Sequence, residues 1–251
     1  MALEKELHFE RAPITEAVID IQVGFDYEVS LDDLAALQSA LGDAYPKRQE
    51  RIEVTGRIES GTAVAASAQR KVIGYTFSSP DEKDIMQARL DGFSLSRLKP
   101  YHRWETFSAT ARSLWDIYVS QLGPSRLRRV ALRYLNRIEL PLPFEDFGEY
   151  LTFVPDIPDG LPDAMSDFFL HLEIPDDPEE SQAMILLNGT IIKDEAGDAT
   201  LLPILLDIDI FQPFDTDVDQ EAVWATLDVL RARKNAVFMA CTTQKLRELI
   251  S

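Results

Sequence analysis

The sequence is poor in the residues that most often carry catalysis, metal binding and covalent cross-linking. Its 251 residues include one cysteine, Cys241, and three histidines, His8, His102 and His171. A single cysteine excludes an internal disulfide and is typical of a reducing compartment. The histidines have no short spacing to one another or to the cysteine, so we expect no zinc site and no other cofactor.

The sequence also lacks the motifs of two common enzyme classes, since it has no glycine-rich phosphate loop and no nucleophile-elbow pentapeptide. No apolar run approaches the ~20 residues that a membrane-spanning helix needs. The N-terminus, residues 1–8, is acidic and lacks the basic-then-apolar order of a secretory signal. We therefore expect a cytoplasmic protein that makes no membrane contact.

Positive charge is scarce: 25 Lys and Arg residues face 43 Asp and Glu residues, which gives a net charge of −18. This balance argues against nucleic acid as a partner, because phosphate binding is driven by the release of counterions to Lys and Arg. Acid is concentrated in residues 156–180 and 207–221. An acidic surface either keeps a protein soluble or steers it towards a basic partner. One basic cluster contains Arg126, Arg128, Arg129, Arg133 and Arg137.

The clearest strand signal covers residues 129–140, near the middle of the chain. One face of this strand is apolar except for Asn136, and its other members are Val130, Leu132, Tyr134, Ile138 and Leu140. The opposite face contains Ala131, Arg133, Leu135, Arg137 and Glu139. Alternation of this kind predicts a half-buried strand. Arg133 and Arg137 then lie on the same side, about 13–14 Å apart along the strand.

The first half of the chain follows a strand–helix–strands–helix order. Residues 13–23 predict a strand with Glu16, Asp20 and Gln22 on its polar face. Ser30 is the expected N-cap of a helix that Gly42 ends, and residues 51–64 and 71–77 predict two further strands. Residues 85–98 predict one long strand, with Gln87, Arg89, Asp91, Phe93, Leu95 and Arg97 on one face. A long helix then runs to Gly123.

The second half repeats that order. After the central strand we expect a short helix over 144–153, an irregular loop over 155–163, and strands over 167–174, 181–192 and 201–211. Asp217 or Asp219 is the expected cap of a second long helix, and Thr243 that of a short final helix.

These patterns predict an α+β fold with a mixed or antiparallel sheet and long helices on one face. The two similar halves, residues 1–125 and 126–251, would be related by a pseudo-twofold axis and would share one sheet as one continuous domain. The duplication is inferred from the order of the elements, because the two halves show no convincing residue identity.

Several short segments occur in the order seen in a known family. They are residues 12–18 (Ala12-Pro-Ile-Thr-Glu-Ala-Val18), Gln87 with residues 92–98, Pro100-Tyr101 with Trp104, residues 132–138, and residues 234–238 with Thr243. In this order they resemble the sporadically distributed bacterial proteins that are grouped only as a family of unknown function. The resemblance implies a bacterial source and a domain of this length, and it implies no activity.

The candidate site is a seam of opposite charges between the first strand and the central strand. If the two strands are equivalent in the two halves, carboxylates of the first strand face guanidiniums of the central one. The candidate binding residues are Glu16, Asp20, Gln22, Gln87, Arg89, Arg133, Asn136 and Arg137. The competing interpretation is a solvated outer sheet face, on which cross-strand pairs contribute about 0.2–1 kcal/mol each.

Other polar residues have structural interpretations beside functional ones. Asn136 is expected to be a buried amide satisfied by the backbone. Lys234-Asn235 is either a similar polar insertion or an exposed pair, and Cys241 is expected to be a small core residue. Asp207 and Asp209 lie on one strand face about 7 Å apart. They form either a cation or acid–base pair, or a solvated edge.

The leading functional hypothesis is a non-enzymatic module that binds an unknown protein partner or a small polar ligand. It would use the acid–arginine sheet face or the acidic loops over 156–180. The alternative is an enzyme for an anionic or phosphorylated small substrate, with Arg133 and Arg137 as the clamp and Glu16 or Asp20 as general base. A third possibility is an accessory component whose partner is encoded next door.

Overall fold

Nine strands and four helices make up the regular structure of residues 9–59, 65–161, 165–176, 182–193 and 198–251, which the computed structural model describes. The strands are β1 (Ile14–Gly24), β2 (Lys47–Glu59), β3 (Ala65–Ser78), β4 (Asp84–Arg89), β5 (Gly92–Leu98), β6 (Arg126–Pro141), β7 (Phe169–Pro175), β8 (Met184–Ile191) and β9 (Leu201–Asp217). The helices are α1 (Leu31–Leu41), α2 (Trp104–Leu122), α3 (Gln220–Cys241) and α4 (Gln244–Leu249).

The strands form a single open sheet in the order β2-β3-β4-β5-β1-β6-β9-β8-β7. Every ladder among the described strands is antiparallel. The pairing of β1 with β6, which places Val18 opposite Arg133, joins residues 1–125 directly to residues 126–251. The α+β class and an antiparallel sheet are therefore confirmed.

The core forms where alternate residues of the central strands meet the helices. Residues Ala17, Ile19 and Ile21 of β1 are fully buried, and their neighbours in sequence point to the other face of the sheet. On α2, the rings of Trp115 and Tyr118 contact Phe93 of β5. Because each central strand carries apolar residues at every second position, the opposite face is left to polar side chains.

The helix ends follow the predicted signals. Ser30 and Asp33 form a capping box at the start of α1, and Gly123 ends α2 in the left-handed conformation with φ of 54°. Asp219 accepts hydrogen bonds from the first turn of α3, and Thr243 caps α4. These short-range predictions are confirmed because each depends on only a few neighbouring residues.

The prediction of one long strand over residues 85–98 is wrong. The segment folds into a hairpin, in which β4 and β5 are joined by the two-residue loop Leu90-Asp91. Asp91-Gly92 is a turn signal, and the turn resets the alternation of side chains. Phe93 and Leu95 are therefore buried in the core, whereas Arg89 faces the polar side.

The second half shows further differences. The expected helix over 144–153 is reduced to a 3-10 turn, Phe147–Glu149, which Asp146 caps, because Gly148 weakens the helix and the surrounding aromatic rings pack on one another. β9 extends beyond residue 211 to Asp217.

Some predicted segments lie partly or wholly outside the described residues. They are the N-terminal segment 1–8, the end of the strand predicted over 51–64, the end of the loop over 155–163, and the connections over 175–178 and 196–198. Within the described part of the chain, no helix is both long and apolar enough to cross a bilayer.

Candidate functional site

The polar face of the sheet contains a concave cavity of about 630 Å³ over its central strands. β1, β4, β5, β6 and β9 form the floor, and the β2–β3 hairpin contributes one wall. The charged residues that line the cavity are Glu16, Asp20, Glu53, Asp91, Asp209, Arg51, Lys71, Arg89, Arg129 and Arg133. Acidic and basic side chains are thus equally represented.

The wall depends on a close approach between strands. A Cβ atom on Gly74 of β3 would lie 2.2 Å from the carbonyl oxygen of Ala88, so only glycine fits there. The register between β2 and β3 is irregular between Arg51 and Ile52, directly beside this glycine. A bulge of this kind bends a strand, and here the irregularity lies where Arg51 lines the cavity.

A first chain of ion pairs links four strands of the cavity floor. Asp20 of β1 accepts from Arg89 of β4 at 2.8 Å and from Arg129 of β6 at 3.3 Å. Arg89 also pairs with Asp91 at 3.1 Å, and Arg129 with Asp209 of β9 at 3.2 Å. Burial opposes the charge of Arg89, yet the adjacent Asp20 raises the pKa of its guanidinium above the ordinary value. The carboxylates therefore hold Arg89 charged and in place.

A second chain continues to the far edge of the sheet. Arg133 donates from Nε and Nη2 to the two oxygens of Asp207, at 2.8 and 2.7 Å. Asn188 of β8 donates to Asp207 at 3.1 Å and accepts from Nδ1 of His171 on β7. Nε2 of His171 lies 3.2 Å from Glu173. The bond to Asn188 and the nearby Glu173 raise the pKa of His171.

The other arginines of the basic cluster also have acidic partners. Arg126 pairs with Asp215 and Asp217 at 3.0 and 2.8 Å. Arg128 pairs with Asp215, and Arg137 with Glu139 at 3.3 Å. The whole cluster on β6 is thus matched by carboxylates on β1, β6 and β9.

Two buried acceptors on the floor have no hydrogen-bond donor within the described residues. They are Oδ1 of Asp209 and Oε1 of Gln87. Burial raises the pKa of Asp209 above its usual value, although the charges of Arg129 and Arg133 act in the opposite direction. A buried acceptor without a donor loses its hydration and gains no hydrogen bond in return, which destabilises the folded protein. Such an atom indicates where a ligand could supply a donor.

Most of the predicted site residues line this cavity together. They are Glu16, Asp20, Gln22, Gln87, Arg89 and Arg133. Arg137 lies on the same face beyond the cavity, and Asn136 lies on the opposite face of β6. Arg129 is not among the predicted site residues, although its spacing of four from Arg133 places it on the same side of a strand. Arg51 and Lys71 are not among them either, because nothing local predicts that their hairpin bends over the face.

The pair Asp207 and Asp209 is divided between two arginines, Arg133 and Arg129. No group of three or more His, Cys, Asp or Glu side chains that could hold a metal ion occurs among the residues described. Cys241 is buried, and burial raises the pKa of its thiol to about 11. It is therefore a protonated core residue, as its apolar helix suggested.

A second, smaller cavity of about 90 Å³ lies on the other side of β6, against α3 and the segment before α2. Tyr134 and Asn136 of β6 are at its floor, both almost fully buried. The amide of Asn136 donates to the carbonyl oxygens of Tyr134 and Leu206, so it is satisfied by the backbone as expected. Lys234 and Asn235 of α3 line the same cavity and are half-buried.

The chain matches no protein-family model and shows no significant similarity to a curated protein. The segments around Pro13, Tyr101, Asn136 and Lys234 meet at the smaller cavity.

Proposed function

We propose that this protein is a non-enzymatic binding module of the bacterial cytoplasm, which holds a small polar ligand in the concave cavity of the sheet face. The ligand offers a cationic or N–H donor group to the floor. Glu16 and Asp209 receive this group, and the paired residues Asp20, Arg89 and Arg129 fix the shape of the site.

The observation that carries this proposal is the orphaned carboxylate oxygen of Asp209. Asp209 lines the cavity, and Arg129 holds only its other carboxylate oxygen, at 3.2 Å, so this carboxylate can still accept a hydrogen bond. Glu16 also lines the cavity, and it lies close enough to Arg133 to influence its charge. The hydrogen-bonding groups that remain unused on this floor are therefore acceptors, and they fit a ligand that brings N–H or cationic donors. A volume of about 630 Å³ falls within the range of small-ligand sites.

The alternative of an anionic substrate clamped by Arg133 and Arg137 has less support on this floor. Two of the five N–H groups of Arg133 already donate to Asp207, a carboxylate that is only 4% exposed. A phosphate that approached the remaining N–H groups of Arg133 would lie near the negative charges of Asp207 and Glu16. A donor-bearing ligand is attracted by these carboxylates instead.

We further propose that residues 1–125 and 126–251 arose by duplication about a pseudo-twofold axis, with α2 and α3 on one face of the sheet. The support is the strand order. Each part contributes its first strand to the centre, and its last strand, β5 or β9, lies beside that first strand. In each part a long helix follows directly after that last strand.

The test is a calorimetric titration of the full chain with L-arginine, spermidine and phosphoserine in turn. We expect the two cationic probes to bind, and Asp209→Asn and Glu16→Gln each to weaken binding about 10-fold, as loss of a charge-assisted hydrogen bond predicts. Asp116→Asn on the exposed side of α2 serves as the matched control and leaves binding unchanged.

Two results would contradict the proposal. One is equal affinity of the cationic probes for the chain and for Asp209→Asn. The other is binding of phosphoserine that Arg133→Met abolishes, which would favour the anionic-substrate alternative.

A further inference from the structure

The smaller cavity is lined by several basic side chains and, among the described residues, by no acidic one. The basic members are His102, Arg103, Arg231 and Lys234. In a protein with a net charge of −18, a cavity of this composition is unexpected. Local charge of one sign focuses the field in a concave site and attracts ions of the opposite sign.

Lys234 is the centre of this arrangement. Its ammonium lies 4.0 Å from the ring centre of Tyr134. Among the described residues, no carboxylate lies within 4.0 Å of this ammonium and no acceptor forms a hydrogen bond with it. A half-buried lysine whose amine has no acceptor loses part of its hydration without compensation, and it persists when something else supplies the missing partner. A ligand that brings acceptor oxygens would do so.

The aromatic part of the lining supplies a further donor. The hydroxyl groups of Tyr101 and Tyr134 are 2.8 Å apart, and only one hydrogen is used between them. Burial raises the pKa of Tyr101 to about 12 and raises that of Tyr134 well above its usual value, so both hydroxyls are protonated at neutral pH. One O–H is thus available to a ligand, and neither tyrosine carries a negative charge that would repel an anion.

The other basic residues are arranged around Lys234. Arg231, one helical turn before it, lies 3.6 Å from Glu105 of α2 and against the ring of Trp104. His102 and Arg103 are exposed at the mouth, whereas Tyr134 and Asn136 close the floor. An anion entering from solvent would pass the exposed guanidinium of Arg103 before it reaches the amine.

The volume of the smaller cavity limits the size of the ligand that it can hold. A volume of about 90 Å³ exceeds the share of one water molecule, ~30 Å³, and is below the ~150 Å³ cavity that accepts benzene. An oxyanion of acetate or phosphate size fits between these limits.

We propose that this cavity is a second binding site, which holds a small oxyanion, a carboxylate or a phosphate, through Lys234 with a tyrosine hydroxyl and the basic residues at its mouth. It is separate from the site proposed on the sheet face, because Arg133 and Tyr134 point to opposite sides of β6.

The charge state of Lys234 is consistent with this assignment. Burial, assisted by the adjacent Arg231, lowers the pKa of Lys234 to about 7. Tyr101, Tyr134, His102, Arg103 and Glu105 are the other titratable groups around it, and Glu105 is paired with Arg231. A bound anion favours the ammonium form, so binding and protonation of Lys234 are linked.

The test uses the full chain with ¹³C-labelled lysine, from which the pKa of Lys234 is read by NMR. Sodium acetate and sodium phosphate are added in separate arms, with sodium chloride at equal ionic strength as the control salt. We expect at least one of the two anions to raise the pKa of Lys234 by about one unit, a tenfold preference for the charged form. The arm that responds distinguishes carboxylate from phosphate.

Calorimetry of the same anion with variants completes the experiment. Lys234→Met and Lys234→Gln are expected to weaken binding at least tenfold. Lys83→Met removes an exposed lysine between β3 and β4 that lines neither cavity, and it leaves binding unchanged. The proposal is overturned if neither anion moves the Lys234 resonance beyond the effect of chloride, or if Lys234→Met binds as tightly as the original chain.

Discussion

At the scale of single residues, ion pairs of similar appearance differ in what surrounds them. Asp207 is 4% exposed and is held by Arg133 and Asn188, whereas Asp215, the partner of Arg128, is in water. The carboxylate in the first pair has lost its hydration and depends on its partner. Breaking the two pairs should therefore have different consequences.

We expect Arg133→Met to lower the free energy of unfolding by about 2–4 kcal/mol, because it leaves a buried carboxylate without its cation. Arg128→Met, the matched exposed pair, should change it by less than about 1 kcal/mol. Urea unfolding of both variants measures the difference. If Arg133→Met is as stable as the original chain, the pair is not a structural requirement of the sheet face.

Lys234 provides a prediction of pH dependence. Its pKa is lowered to about 7 in the folded chain, so the unfolded chain binds more protons between about pH 7 and pH 10. The free energy of unfolding should therefore rise with pH across that window. Below pH 7 the folded chain should bear the full cost of burying the charged amine of Lys234. Lys234→Met removes the penalty and should raise the free energy of unfolding by a few kcal/mol near pH 6, with a smaller gain near pH 9.

Urea unfolding of this variant at several pH values tests the prediction, with the exposed Lys83→Met as control. A difference between Lys234→Met and the original chain that does not vary with pH would show that the amine is not desolvated. A gain in stability on removing the lysine would mean that the residue is retained at a cost, as binding residues often are.

At the scale of elements, close approach between strands fixes the floor of the sheet face. A Cβ on Gly92 of β5 would lie 2.4 Å from the carbonyl oxygen of Ile21 and 3.0 Å from Nη2 of Arg89. Gly24 of β1 differs, because the nearest atom to its Cβ position is 3.4 Å away.

We therefore expect Gly92→Ala to lower the free energy of unfolding by about 1–3 kcal/mol, in the range of overpacked sites, and to displace Arg89 from Asp20. Gly24→Ala, the matched glycine, should cost less. Thermal unfolding measures the change in stability. The affinity of a cationic probe shows whether the floor of the sheet-face cavity keeps its geometry. Equal effects of the two substitutions would argue against a steric requirement at residue 92.

Elements were predictable from the sequence where their signals are local. Ser30, Asp219 and Thr243 identify helix starts, and the alternation over residues 129–140 identifies β6 and the polar direction of Arg133. The division of residues 85–98 into two strands was missed. There the buried apolar positions change from Met86 and Ala88 before the turn to Phe93 and Leu95 after it, and Asp91-Gly92 is the local signal for the change of direction.

At the scale of the whole molecule, the sequence indicated that carboxylates of β1 would face arginines of β6, because both strands were expected at the centre of one sheet. It could not provide the exact partners. Asp20 pairs with Arg129 and Arg89, and Arg133 pairs with Asp207 of β9, since partners depend on register and on which strand lies on the other side. The basic cavity around Lys234 unites segments more than 200 residues apart, which no local pattern reveals.

The position of β6 has a consequence for the two proposed binding sites. Arg133 and Tyr134 are successive residues, so one peptide unit carries the side chains of both cavities on its two sides. A ligand that displaces this strand on one side alters the geometry on the other. Thermodynamic reciprocity then requires that each ligand change the affinity of the other by the same factor, whichever arrives first.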